Sequence, residues 1–242
     1  MATLSDATLD LIQSHLNLSL TDVQVEQFTQ YRSLLMSWNT KLNLTAVRTE
    51  LGIESVHFVD SLTLAPQIRA FDGQSLIDVG TGAGFPGIPL KIVFPSLQLT
   101  LVESIRKKAN FLGEVVRELG LTDVTILAER AEVVGRDLKH REQYDWVVAR
   151  AVAELNILLE YLVPFCRPNG RILAMKGPET PNELAAASNA VEELGLQIES
   201  SEKVSEEISG DKQRFLVLVA RKGPLSERYP RRAGIPTKRP LR

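Results

Sequence analysis

The chain has one cysteine, Cys166, which excludes an intramolecular disulfide and fits a reducing compartment. The apolar neighbours of Cys166 predict a small buried hydrophobe rather than a nucleophile. The sequence does not open on a basic segment followed by an apolar one, so no secretory signal is expected. No apolar run reaches the ~18 residues of a membrane span. No group of His, Cys, Asp and Glu has metal-ligand spacing, and internal repeats and low-complexity blocks are missing as well. The expectation is a cytoplasmic, monomeric protein with no membrane and no metal partner. A length of 242 residues, 44% hydrophobic and 24% charged, suits one globular domain with an appendage.

Acid is missing from the last stretch. From Arg228 onward stand Arg228, Arg231, Arg232, Lys238, Arg239 and Arg242 with no Asp or Glu. The rest of the chain keeps 22 of the 28 basic residues against all 30 acidic ones. This asymmetry predicts an anionic partner for the tail. Pro230, Pro236 and Pro240 make the tail stiffer than a Gly/Ser linker.

Residues 1–70 read as a helical cap. Thr21 and Gln24 form a capping-box pattern. Phe28, Tyr31, Leu35 and Trp38 then fall on one helical stripe, which predicts core packing. Residues 38–45, with two asparagines, a lysine and two threonines, read as a polar loop leaving that helix. His57 and Asp60 lie one turn apart and read as a structural pair. From residue 75, strands expected at 75–79, 97–102, 124–128, 145–149, 170–175, 196–200 and 214–220 alternate with helices at 86–93, 105–119, 154–165 and 180–194. Gly120 and Gly195 sit at helix C-caps. The pattern predicts an α/β fold: a mostly parallel seven-stranded sheet, helices on both faces, over residues 71–222. Residues 202–213 show no clear helix, so the last two strands should form an antiparallel hairpin at the sheet edge. Residues 223–242 are the basic tail.

The run Asp78-Val79-Gly80-Thr81-Gly82-Ala83-Gly84-Phe85-Pro86-Gly87 follows the first strand of this series. A glycine turn between strand and helix lets backbone N–H groups approach a cofactor. It lacks the Gly-Lys-Ser/Thr of a phosphate loop, and Phe85 stands where a dinucleotide fingerprint needs its third glycine. Phe85 is expected to line a pocket against an adenine or a thioether. Asp78 suits a cationic ligand better than a pyrophosphate. Glu103 ends the second strand, about 20 residues on, where doubly wound folds hold a ribose. Together these favour S-adenosylmethionine over a nicotinamide dinucleotide. Ala131 and Glu132, after the third strand, are placed to meet the adenine edge, and Arg150, after the fourth, to face the cofactor and substrate.

The acceptor is read by elimination. Ala149-Arg150-Ala151-Val152 replaces the Asp/Asn-Pro-Pro-Tyr of exocyclic-amine methyltransferases. Cys166 is poorly placed for the covalent chemistry that cytosine C5 methylation needs. What remains is an acceptor already nucleophilic, such as guanine N7, with catalysis by proximity and electrostatics. A small-molecule methyltransferase and a non-catalytic ribosome-assembly factor stay open as alternatives.

Asn43-Leu44-Thr45-Ala46-Val47-Arg48, His57-x-x-Asp60-Ser61-Leu62, the glycine loop through Leu90, Arg150-Ala151-Val152, Met175-Lys176-Gly177 and the Tyr229-Pro230-Arg231-Arg232-x-Gly234-x-Pro236 tail together resemble the RsmG (glucose-inhibited division protein B) family. The resemblance runs from about residue 20 to 240. It implies a Rossmann-like class I fold and S-adenosylmethionine-dependent methylation of guanine N7 in bacterial 16S ribosomal RNA, with the small ribosomal subunit as partner. It also implies cofactor contacts at Gly80, Phe85, Glu103, Ser104, Ile105, Ala131, Glu132 and Arg150, beside Asp78 and Gly82 of the loop. Arg150 would also position the reactants. Asn39, Lys41, His57, Arg106, Lys107, Lys176, Arg231 and Arg232 become candidate RNA contacts. Ala83 and Phe85 depart from the proline and leucine of some members.

Overall fold

The structure, a computed structural model, describes residues 3–68, 73–210 and 212–241. The boundary expected between residues 70 and 71, and Arg242 of the tail, lie outside them. Seven strands form one sheet in the order β3-β2-β1-β4-β5-β7-β6. They are β1 (Ser75–Val79), β2 (Gln98–Val102), β3 (Val124–Leu127), β4 (Tyr144–Arg150), β5 (Cys166–Lys176), β6 (Leu196–Lys203) and β7 (Phe215–Arg221). The first five pair in parallel, while β7 runs antiparallel to both β5 and β6. The expected edge hairpin is therefore present. Its connection does hold a short helix, α12 (Glu206–Ser209).

Strand residues alternate between two cores. Leu76, Leu99, Leu101, Trp146, Val148, Leu173 and Met175 face one, while Ile77, Val79, Val147, Ala149, Ile172 and Ala174 face the other. In the central strands both faces are apolar, which is why these read as continuous hydrophobic runs, while the edge strands β3 and β6 are partly exposed. The first core is covered by α1 (Asp6–Leu16), α2 (Asp22–Leu42), α6 (Gly87–Val93), α7 (Arg106–Glu118) and a helical run in between. That run is α3 (Glu50–Ile53), a π-helical turn (Glu54–Val59), α4 (Asp60–Leu62) and α5 (Ala65–Ile68). The second core is covered by α8 (Ala131–Val134), α9 (Leu155–Leu162), α10 (Thr180–Ala186), α11 (Ser188–Glu193) and the C-terminal segment with α13 (Ile235–Lys238). The helix expected at 180–194 is split at Ala187, and α8 was not foreseen.

The Thr21 capping box forms, with both reciprocal hydrogen bonds. Phe28, Tyr31 and Leu35 are buried, and Trp38 packs on Phe111 of α7 at 5.6 Å between centroids. The polar loop expected at 38–45 is a correction: α2 continues to Leu42 and stops at Asn43, in the left-handed region at φ 47°. Asn39 is buried and closes this helix end: its amide donates to Thr45 O and its carbonyl accepts from Thr45 N–H, both 2.9 Å. The asparagine-rich pattern marks a clamped helix end.

Candidate cofactor cleft and acceptor cavity

The five parallel strands point their C-terminal ends the same way, and the chain reverses its course across the sheet between β1 and β4. Ligands of doubly wound sheets sit at that reversal. Asp78, next to last in β1, is fully buried. Its Oδ2 accepts from the Thr81 hydroxyl at 2.6 Å and from Gly87 N–H at 2.8 Å, so one oxygen ties both ends of the glycine loop. A Cβ at Gly87 would stand 2.7 Å from Leu101 Cδ2 and 2.9 Å from Asp78 Oδ2, so only glycine fits. Asp78 Oδ1 has no hydrogen-bond partner among the described residues. Burial pushes the carboxyl up to about 6, against the pull of the Thr81 and Gly87 hydrogen bonds.

Beside the loop lies a cleft of about 160 Å³, lined by Val79, Gly80, Val102, Ser104, Glu129, Arg130, Ala131, Glu132, Val152 and Tyr161. Gly80, Ser104, Ala131 and Glu132 thus converge from the ends of β1, β2 and β3. Glu103 joins two of these turns: Oε2 accepts from Gly82 N–H at 3.1 Å and Oε1 from Ile105 N–H at 2.7 Å. Ile105 is half exposed beside them. Gly82 has φ +62° and nothing within 4 Å of where a Cβ would be, so its backbone is open to a ligand. Two buried carboxylates and an open backbone, with no lysine or arginine in the loop and, among the described residues, Arg130 as the one basic residue lining the cleft, fit a ligand that carries positive charge. S-adenosylmethionine is such a ligand.

Phe85 is not among the cleft-lining residues. It stacks on Tyr31 (5.4 Å) and on His57 (4.7 Å), and the Arg150 guanidinium lies 4.9 Å from its centroid. An aromatic side chain is held here by the N-terminal helices, which offer Tyr31 and His57 as stacking partners. The Tyr31 hydroxyl donates to Ala83 O at 2.5 Å, so the helical cap also holds the loop backbone. Arg150 turns to the same side: it donates to Val56 O (3.2 Å), Asp60 Oδ2 (3.0 Å) and His57 Nδ1 (3.2 Å). Arginine only donates, so His57 Nδ1 accepts and its Nε2–H donates to Thr45 Oγ1 at 2.6 Å. Burial, then the Arg150 charge, holds the His57 pKa down at about 3, so the ring is neutral. The His57–Asp60 pairing expected from their spacing runs through Arg150.

Arg150 borders a second cavity of about 290 Å³, with Val56, His57, Asp60, Ala151, Met175, Lys176, Gly177 and Arg214. It lies at the ends of β4 and β5, and the neighbouring residues Ala151 and Val152 line this cavity and the first cleft respectively. Arg214 Nε approaches Asp60 Oδ1 at 3.7 Å.

The candidate RNA contacts divide. Lys41, Arg106, Lys107 and Arg232 are exposed. Asn39 and His57 are buried in the contacts described above. Lys176 is buried, donating to Ala153 O (2.5 Å) and paired with Glu183 (2.6 Å), which in turn accepts from Leu155 N–H. Arg231 donates to the fully buried Glu160 through its backbone N–H, Nε and NH2. Reading the sequence missed Tyr31 as a loop support, Thr81, Tyr161, Val152 and Arg214. Thr81 carried a signal, a hydroxyl three residues after Asp78 in a turn; the others come together only by folding.

Residues 24–215 match the family model for rRNA small subunit methyltransferase G, GidB. A ribosomal RNA small subunit methyltransferase G from Roseiflexus sp. (strain RS-1) is 50% identical over 93% of this chain and 94% of its own length. One from Pelotomaculum thermopropionicum is 49% identical over 92% of each chain. Among solved structures, an S-adenosylmethionine-dependent methyltransferase from Aquifex aeolicus superposes with TM-score 0.53 at 19% identity, over 70% of this chain and 93% of its own; it shares the fold. With its Rossmann-like class I sheet and its glycine loop, the chain belongs to the rRNA small subunit methyltransferase G family.

Proposed function

We propose that this protein transfers a methyl group from S-adenosylmethionine to N7 of a guanine in 16S ribosomal RNA. Family membership carries the cofactor and the class of RNA; the guanine and its N7 are our own assignment. One observation supports it most. Every titratable side chain facing the acceptor cavity is already engaged. Asp60 lies between Arg150 and Arg214, His57 is neutral and bonded at both nitrogens, and Lys176 is held by Ala153 O and Glu183. None is placed as an unengaged general base, which favours an acceptor atom that attacks without losing a proton. Guanine N7 does so with its lone pair. Cys166 is no nucleophile here: it starts β5, at the opposite end of the sheet from the cleft, and burial pushes its thiol up to about 12.

S-adenosylmethionine supplies an electrophilic methyl on a sulfonium. The chain's own residues hold the reactants. Asp78 and Glu103 would supply the negative charge that favours the cationic ligand. Arg150 and Arg214 would donate to guanine O6 alone; arginine's usual fork across O6 and N7 would block the N7 lone pair. The exposed Lys41, Arg106, Lys107 and Arg232 take phosphates, which position the RNA without reading sequence. Catalysis then rests on approach and alignment.

The test is transfer of labelled methyl to 16S RNA and to 30S particles from cells lacking the endogenous activity, followed by nucleoside mass spectrometry. The expected product is 7-methylguanosine at one site. Methyl on another atom, or no transfer to either substrate by protein that binds the cofactor, overturns the assignment.

A further inference from the structure

The basic tail folds back as a strap on the second core. Tyr229 is buried, with Leu225 and Leu241 in the same core cluster. Arg136 and Arg141 donate to Pro230 O and Tyr229 O, both at 2.6 Å. The Tyr229 hydroxyl donates to Glu193 at 2.6 Å, and Asn156 donates to Leu241 O at 3.1 Å. The bond from Arg231 to Glu160, side chain and backbone together, is the strap's central anchor.

Two further contacts reach the cofactor cleft. Gly234 N–H donates to Glu132 Oε1 at 2.9 Å, and the Thr237 and Tyr161 hydroxyls are 2.9 Å apart. Glu132 and Tyr161 both line the cleft, one from α8 and the other from α9. The strap thus ties together the two helices that flank it. Each of these cleft residues has one polar group committed to the strap.

We infer that the C-terminal strap is part of the cofactor-binding site: Gly234 and Thr237 are positioning residues that set Glu132 and Tyr161 for the ligand. The inference rests on reading the cleft as the cofactor site. Releasing the strap leaves Glu132 without its N–H donor and frees Tyr161 to rotate, so the ligand must then order both. Strap docking and cofactor binding favour the same arrangement of the same side chains. The two are therefore coupled, and the coupling is reciprocal: whatever factor the strap adds to cofactor affinity, the cofactor adds to strap docking.

The experiment uses the full chain and S-adenosylhomocysteine, with affinity measured by calorimetry. Thr237 is exposed, so Thr237→Val should fold normally; affinity should fall by about three- to tenfold, the worth of one neutral hydrogen bond. Thr237→Ser, which keeps the hydroxyl, should restore it. Arg231→Met, which releases the anchor, should weaken binding at least tenfold. Reciprocally, S-adenosylhomocysteine should slow tryptic cleavage of the wild-type strap after Arg232 and Lys238. If Arg231→Met fails to fold, Thr237→Val and the cleavage rates decide. Wild-type affinity in Thr237→Val together with cleavage unaffected by ligand overturns the inference. Gly80→Asp separates the two readings. If it binds normally, the cleft is not the cofactor site. If it loses binding while the strap variants keep theirs, the strap alone is refuted.

Discussion

Asp78→Asn separates charge from shape in the cofactor cleft. Asp78 is fully buried, one oxygen bonded at both ends of the loop and the other without a partner. Burial raises its carboxyl from 3.8 to about 6, so keeping it ionised at pH 7.5 costs roughly 3 kcal/mol. Asparagine keeps an acceptor for Thr81 and Gly87 and removes that cost. It adds an unpartnered NH2 worth about 1–3 kcal/mol. The two nearly cancel, so the melting temperature at pH 7.5 should stay close to that of the wild type. Ligand affinity should not. For an assumed separation of about 7 Å and an effective dielectric near 20, a unit charge pair is worth roughly 2 kcal/mol, or about 30-fold in Kd. The assay is calorimetric Kd for two ligands: S-adenosylmethionine, which is cationic, and methylthioadenosine, which shares the nucleoside and is neutral. The first should weaken by about 30-fold and the second should barely change. Equal loss for both would falsify the charge argument and make Asp78 a loop brace only. No loss for either would show that its charge does not reach the ligand.

Stability against pH gives a second prediction. The folded value of Asp78 lies above its unfolded one, so its support is complete below pH 3.8 and is withdrawn as pH rises to about 6. His57 runs the other way: its folded value of about 3 lies below 6.5, so its support is complete above pH 6.5 and is lost as pH falls. Between about pH 4 and 6 these two slopes oppose one another. Asp78→Asn should expose the histidine slope, a loss of about 1.4 kcal/mol per pH unit in urea unfolding below pH 6.5; a wild-type-like profile would refute it. Arg150→Ala should cost about 3 kcal/mol in the same assay, because it leaves the buried Asp60 with only the 3.7 Å contact to Arg214. It should also lower methyl transfer, and let the His57 titration seen by NMR move upward as the neighbouring cation disappears. Tyr31→Phe removes the donor to Ala83 O and should cost about 1–3 kcal/mol. Cofactor affinity should fall with it; unchanged affinity would mean that the loop holds its shape without the helical cap.

The centre of the sheet was legible in the sequence because both its faces are apolar there. Runs such as Leu76-Ile77 and Trp146-Val147-Val148-Ala149 are buried on one side or the other at every residue, so no alternation was needed to find them. The glycine loop was legible for a different reason: a backbone approach needs glycine at fixed positions, and few other structures place Asp78, Gly80, Gly82 and Gly87 in that order. Side-chain direction was not legible. Phe85 and Arg150 sit at the strand ends where ligands bind, yet both turn toward Tyr31, His57 and Asp60 from the N-terminal helices. The partners that turn them lie 28–94 residues away, and no local pattern encodes that distance. The pairing of positive charge was no more legible. Arg231 and Lys176 look like phosphate contacts until Glu160 and Glu183 are brought against them.

That division of the cations decides how the protein meets RNA. A charge already paired inside the fold neutralises no phosphate, so it releases none of the counterions condensed on the RNA. Arg231, Lys176 and Arg150 are paired with Glu160, Glu183 and Asp60, and only exposed residues such as Lys41, Arg106, Lys107 and Arg232 can neutralise phosphates. For single-stranded RNA each neutralised phosphate adds about 0.7 to the slope of log K against log salt. Replacing Arg106 and Lys107 together by glutamine should therefore lower the measured slope by about 1.4 and weaken binding evenly across RNA sequences. Arg231→Met should leave the slope nearly as it is while reducing cofactor affinity. If Arg231→Met instead lowers the slope as much as an exposed arginine does, the strap is open in solution and its anchor is an RNA contact.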